Sequence, residues 1–249
     1  MATNDKTKKV LKITLPIVAA LVVAILAIAF FWGTLIPSYR PLHEAKAGDV
    51  RVACVGDSIT YGTLVFGWPF KTYPETLGKK LGDGYTVNNY GYPGACAQED
   101  SDKPYKSLAV YKKSKEFLPN IVIMMLGTND TREVNRKGIE LYKRDYSLLI
   151  DEYLNLSSLP TVILMAPPPA WPFLGKVGYH IDASMLENEI HETVLAIGEE
   201  KGLSVIDLWA TFNGKKDLFT DGVHPTASGA EVLAETVFNK LQSTVLKAA

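Results

Sequence analysis

The stretch Arg51-Val52-Ala53-Cys54-Val55-Gly56-Asp57-Ser58-Ile59-Thr60-Tyr61-Gly62 opens as a short apolar run and breaks at Gly-Asp-Ser. A run that is apolar on both faces is the pattern of a central parallel strand covered on both sides. In open α/β sheets, ligands bind outside the carboxyl ends of such strands. Ser58 follows the run directly and has Gly56 and Gly62 around it, so it is a candidate exposed nucleophile. Thr60 stands where a G-x-S-x-G elbow needs its second glycine, which disfavours the usual α/β-hydrolase arrangement. Alone, Gly-Asp-Ser reads as readily as the cap of the next helix.

Four more apolar runs follow: TVNNYG at 86–91, IVIMMLG at 121–127, TVILMAP at 161–167 and LSVIDL at 203–208. Between them the apolar spacing predicts helices over Trp68–Leu81, Tyr105–Phe117, Gly138–Leu156 and Met185–Lys201, with Thr226–Val245 closing the chain. Strands alternating with helices indicate a three-layer α/β/α domain on a five-stranded parallel sheet with right-handed crossovers.

The unusual residues fall after these runs. Tyr90-Gly91-Tyr92-Pro93-Gly94-Ala95 follows the second, and Gly94 lets a backbone N–H approach a ligand with no Cβ in the way. Alone, this is a turn. Leu126-Gly127-Thr128-Asn129-Asp130 follows the third, and the Asn129 amide can donate to a developing oxyanion or simply complete a turn. Near the end, Asp221-Gly222-Val223-His224-Pro225 places a carboxylate three residues before one of only four histidines. Asp221 can hold one ring nitrogen of His224 while the other takes a proton from Ser58.

Taken together, the four motifs resemble the SGNH (GDSL-type) hydrolase family over roughly residues 51–245. The signature Ser, Gly, Asn and His match Ser58, Gly94, Asn129 and His224, and the acidic partner matches Asp221. Ile59 replaces the Leu that many members carry. The resemblance implies a flavodoxin-like sheet under helices and a serine esterase. In it Ser58 is the nucleophile, His224 the general base and then acid, and Asp221 its support. The oxyanion hole is formed by the N–H groups of Ser58 and Gly94 and the side chain of Asn129. Asp57 and Asp130 read as structural partners of the loops. No metal and no cofactor is implied, and His180 and His191 read as surface or packing residues.

The substrate is less legible. The loop Ala166–Leu174 follows the fourth run and is rich in Pro and aromatic residues, so Trp171 and Phe173, with Tyr61, are candidates to wall an acyl or sugar pocket. The loop could equally well cover the core; Phe66 and Trp68 are similar candidates. Two readings of the activity follow. One is hydrolysis of carboxylic esters, either short-acyl O-acetyl groups on carbohydrate or lipid and aryl esters. The other is acyl transfer to cell-envelope glycans.

The N-terminus adds a separate expectation. Residues 1–12 carry Lys6, Lys8, Lys9 and Lys12, and residues 13–36 form 24 consecutive uncharged positions. At about 1.5 Å per residue such a helix spans a bilayer. The lysines place the N-terminus in the cytoplasm and the domain at 50–249 outside, through a polar tether at 37–49. The long stretch and its bulky end favour an uncleaved anchor over a secretory signal peptide. A net charge of −1 without a basic block in the body of the chain argues against nucleic acid as a partner. Two cysteines, Cys54 and Cys96, are too few for a disulfide framework, although one bond between them is open to an exported domain.

Overall fold

A computed structural model describes residues 16–24 and 42–244. The chain divides into two units, Met1–Tyr39 and Arg40–Ala249. In the first, residues 16–24 are helical and exposed. The rest of the expected membrane-spanning segment at 13–36 lies outside the described residues, as do the basic tail and most of the tether's first half. Among the described residues no helix is long and apolar enough to cross a membrane.

The second unit carries a parallel sheet of five strands: β1 (Val50–Gly56), β2 (Tyr85–Gly91), β3 (Ile121–Met125), β4 (Thr161–Ala166) and β5 (Ser204–Asp207). Their order is β2-β1-β3-β4-β5, and every pairing is parallel. These are the five runs read from the sequence, and the order is that of the flavodoxin-like class.

Successive side chains on each strand supply opposite cores. Val52, Cys54, Ile121, Ile123, Met125, Ile163 and Met165 face one core. There they meet Tyr73 and Leu77 of α2 (Tyr73–Leu81) and Leu233, Val237 and Leu241 of α8 (Ala227–Thr244). Ala53, Val55, Val122, Met124, Val162, Leu164 and Ala166 face the other. That core is closed by Val110 of α3 (Ala109–Glu116), by Tyr142, Tyr146 and Tyr153 of α4 (Ile139–Leu154), and by Val194 and Ile197 further on. This double coverage is why the runs are apolar throughout and do not alternate.

The helices start and stop for local reasons. The expected helix from Trp68 begins only at Tyr73, because Pro69 disfavours helical backbone at Trp68 and Pro74 suits the first turn behind Thr72. The expected helix from Tyr105 is a 3-10 turn (Tyr105–Ser107) followed by α3. The expected helix from Met185 begins earlier as α5 (Ala183–Met185), where Asp182 caps Ser184 and Met185. It then loosens into a π turn (Leu186–His191) before α6 (Glu192–Lys201). The short α7 (Leu208–Phe212) follows β5 under an Asp207 cap.

Cys54 and Cys96 are both free and buried, so no bond joins them. Cys54 packs in the core under α2, whereas the Cys96 sulfur accepts from the Asn135 side chain.

Candidate active site

The strand order reverses between β1 and β3, and the loops after β1, β2 and β3 meet at that point. The first of them is the one-turn helix α1 (Ser58–Tyr61). Asp57 caps it by accepting the Ile59 N–H at 2.9 Å. Gly56 is required beneath it, because a Cβ there would lie 2.3 Å from Thr60 Oγ1 and 2.6 Å from the Met125 carbonyl. As the first helical residue, Ser58 has no acceptor for its N–H within the helix.

Ser58 Oγ lies 2.9 Å from His224 Nε2, across 166 residues of chain. His224 Nδ1 lies 2.8 Å from Asp221 Oδ2. The other Asp221 oxygen accepts the N–H groups of Val223 (2.9 Å) and His224 (2.7 Å), so the carboxylate is fixed in a tight bend. Burial would raise the Asp221 carboxyl. The hydrogen bond and charge of His224, joined by the two N–H groups, outweigh it and hold Asp221 well below the usual carboxylate range. Ser58 and His224 are buried, leaving 7% and 3% of their surfaces exposed, enough for a small group to reach them only from the cleft above.

Gly94 adopts φ +82°, a conformation that glycine takes without penalty. Among the described residues no group accepts its N–H. The Asn129 side-chain nitrogen donates to the Ala95 carbonyl at 3.1 Å, and its second contact, to Asp57 Oδ2, is 3.4 Å. That second contact is long for a hydrogen bond, so this hydrogen remains available to a stronger acceptor. Asp130 accepts the N–H groups of Ala97 and Gln98 and so ties the loop after β3 to the loop after β2. Burial pushes the Asp57 carboxyl up to about 6 and the Asp130 carboxyl up to about 7. Both are structural partners of the loops and neither reaches the cleft.

Ser58, Gly94, Asn129 and His224 open into one cleft of about 400 Å³. A cavity of equal size at the far end of the sheet, against Glu75 and Tyr85, holds no serine–histidine pair. The aromatic candidates do not wall the cleft. Tyr61 is fully buried with its ring 5.4 Å from Trp68, and Phe66 is exposed elsewhere. Trp171 packs its ring 4.7 Å from Phe219, and its N–H donates to the Gly222 carbonyl at 2.9 Å. Phe173 sits in an exposed turn paired with Lys176. The 166–174 loop therefore braces the Asp221–His224 bend from behind.

The walls are instead Thr63, Arg132, Tyr179, His180, Ile181 and Val223. His180 thus belongs to the cleft, whereas His191 pairs with Asp207 at 3.0 Å in the packing beside Trp209. Tyr179 is the residue that sequence reasoning missed most clearly. Its hydroxyl donates to Asp221 Oδ2 at 2.8 Å, and its ring stands edge-on to the His224 ring at 4.9 Å. Tyr179 and His180 both have positive φ (59° and 58°), although neither is a glycine or an asparagine.

The arrangement can pass a proton from a hydroxyl to an imidazole braced by a carboxylate, beside several N–H donors. The model of the GDSL-like Lipase/Acylhydrolase family matches residues 54–232. An acetylxylan esterase of Xylanibacter ruminicola is 29% identical over 219 residues, covering 80% of this chain but only 44% of that protein's length. A carbohydrate acetylesterase from Sinorhizobium meliloti has the same fold, with a TM-score of 0.64 at 21% identity over 78% of this chain and 98% of that one. The aryl esterase of M. smegmatis superposes with a TM-score of 0.62 at 20% identity, covering 78% and 99%.

Proposed function

The chain belongs to the GDSL-like lipase/acylhydrolase family, and from that premise we propose that it is a serine esterase that removes short acyl groups, O-acetyl groups on carbohydrate first among them. The observation that carries this reading is the Asp221–His224–Ser58 relay, with successive contacts of 2.8 and 2.9 Å.

Ser58 Oγ attacks the ester carbonyl while His224 Nε2 takes its proton, and Asp221 stabilises the imidazolium that forms. The carbonyl oxygen, now negative, receives the N–H groups of Ser58 and Gly94 and the loosely held hydrogen of Asn129. The imidazolium returns the proton to the departing alcohol, leaving an acyl-enzyme. Water attacks that acyl group as His224 takes one of its protons, and the imidazolium returns this proton to Ser58 Oγ as the carboxylic acid leaves.

Two observations support a short acyl group on a sugar. The cleft, at about 400 Å³, is near the small end of ligand sites. Two of the relatives are named for acetyl esters of carbohydrate. The test is a panel of esters from acetyl to long acyl, run with and without sugar acceptors. Acetyl turnover that falls with chain length is expected. Preference for long chains would point to lipid esters, and acceptor-dependent product to acyl transfer. Ser58→Ala should abolish activity, and full turnover by that variant would falsify the nucleophile.

The reading extends to placement. The uncharged stretch at 13–36 behind four lysines supports a single-pass anchor that holds the domain outside the membrane. Fractionation of the full chain should recover it with membranes and resistant to carbonate extraction; recovery in the soluble fraction would defeat the anchor.

A further inference from the structure

The peptide joining Pro93 to Gly94 carries two groups that point in opposite directions. Its carbonyl accepts a hydrogen bond from the ammonium of Lys103 at 3.1 Å. Its N–H belongs to Gly94, which lines the Ser58 cleft. A trans peptide is planar, with C=O and N–H antiparallel, so a bond that fixes the carbonyl also fixes the direction of the N–H. A cationic donor on the carbonyl polarises the unit and makes the N–H a better donor.

Lys103 is placed for this by more than one contact. A Cβ on Gly94 would lie 3.1 Å from Lys103 Nζ, so the ammonium packs against the glycine itself. The ammonium also stands 5.5 Å from the centre of the Tyr92 ring. The Lys103 carbonyl accepts the Cys96 N–H at 3.0 Å, which docks its backbone on the same loop. Its neighbour Asp102, the nearest acid in sequence, is taken by Arg132 at 3.0 Å. The charge is thus directed at one carbonyl.

We propose that Lys103 is a positioning residue for the oxyanion hole, holding and polarising the Pro93–Gly94 peptide so that the Gly94 N–H meets the charge that develops on the substrate oxygen. This rests on the reading of Gly94 as an oxyanion donor. Lys103 does not line the cleft, so its effect should fall on the transition state and not on ground-state binding.

The test compares Lys103→Met, which keeps the stem and loses the charge, with Lys103→Arg, which keeps the charge. Each full-length variant is measured for kcat, KM, melting temperature and affinity for a trifluoromethyl ketone, which forms an oxyanion adduct on the serine. Lys103→Met should lower kcat by about 5- to 30-fold, with KM within about twofold. The ketone should weaken by the same factor, and Lys103→Arg should recover most of the loss. Unchanged kcat in Lys103→Met, beside an Asn129→Ala variant that does lose activity, would overturn the role of Lys103 and leave the esterase intact. A raised KM at constant kcat, or a loss that follows melting temperature and is not recovered by Arg, would overturn it as well. Undiminished turnover in Ser58→Ala would remove the esterase reading itself.

Discussion

Replacing Gly222 with Ala adds one methyl group at the bend between Asp221 and His224. Gly222 has φ +84°, which costs an alanine about 1–2 kcal/mol. The new Cβ would lie 2.2 Å from the Trp171 carbonyl oxygen and 3.1 Å from its carbon, so one of the two chains must retreat. A retreat of about 1 Å loosens the 2.9 Å bond from the Trp171 N–H to the Gly222 carbonyl, worth about 1 kcal/mol. The combined loss is about 2–3 kcal/mol, or roughly 4–12 °C in melting temperature for a domain of this size. The bend carries both Asp221 and His224, and a misplacement of about 1 Å costs about 100-fold in rate. The control is Gly202→Ala at the end of α6, where φ is +63° and no atom lies within 4 Å. That variant should lose only about 1–2 kcal/mol and keep its turnover. Thermal unfolding and kcat on an acetyl ester measure both. A Gly222→Ala enzyme with kcat within about twofold of the parent would refute the bracing argument, and so would a Gly202→Ala enzyme that is equally slow.

Tyr179→Phe removes one of the donors to Asp221 while the His224 and backbone contacts remain. It should lower kcat by less than about tenfold and stability by about 0.5–1 kcal/mol; loss as complete as in Ser58→Ala would show that the hydroxyl does chemistry itself. Asp57 and Asp130 are raised by burial to about 6 and about 7 from 3.8, so the folded state holds protons that the unfolded chain releases. Stability should therefore fall as pH rises between about 4 and 7, by at most about 1.4 kcal/mol per pH unit per group. The lowered Asp221 acts in the opposite sense, but only below about pH 4. Melting temperatures that climb from pH 5 to pH 8 would contradict this. Burial pushes the Cys54 thiol up to about 12 and raises Cys96 further, so neither should react with a thiol reagent at pH 8 until the protein is denatured. Labelling of the native protein within minutes would show an opening that the packing does not predict.

The sheet was legible because its strands are buried on both faces, which writes each one as an unbroken apolar run. Ser58, Gly94, Asn129, Asp221 and His224 were legible only as a set that resembles a known family's signature, because each motif alone reads equally as a turn or a cap. Trp171, Phe173 and Tyr61 fall outside the cleft lining, because aromatic rings near a strand end serve packing as readily as binding, and periodicity does not say which way a loop turns. Tyr179, Arg132 and Lys103 lie on irregular segments between elements. Their roles depend on long-range contacts to Asp221, Asp102 and Pro93, for which a linear pattern has no signal.

The 166-residue span between Ser58 and His224 has a consequence in time. In the proposed mechanism the serine emerges with β1, yet its base is not made until all five strands have been. Until β5 is seated and the bend at 221–224 has docked, Ser58 is an ordinary alcohol. Reactivity is thus the last property the domain acquires, and the first it forfeits when that bend lets go. A chain cut in the exposed stretch at 172–176 would carry the hydroxyl on one fragment and the imidazole on the other. Turnover by the mixed fragments would then count reassembled molecules one by one.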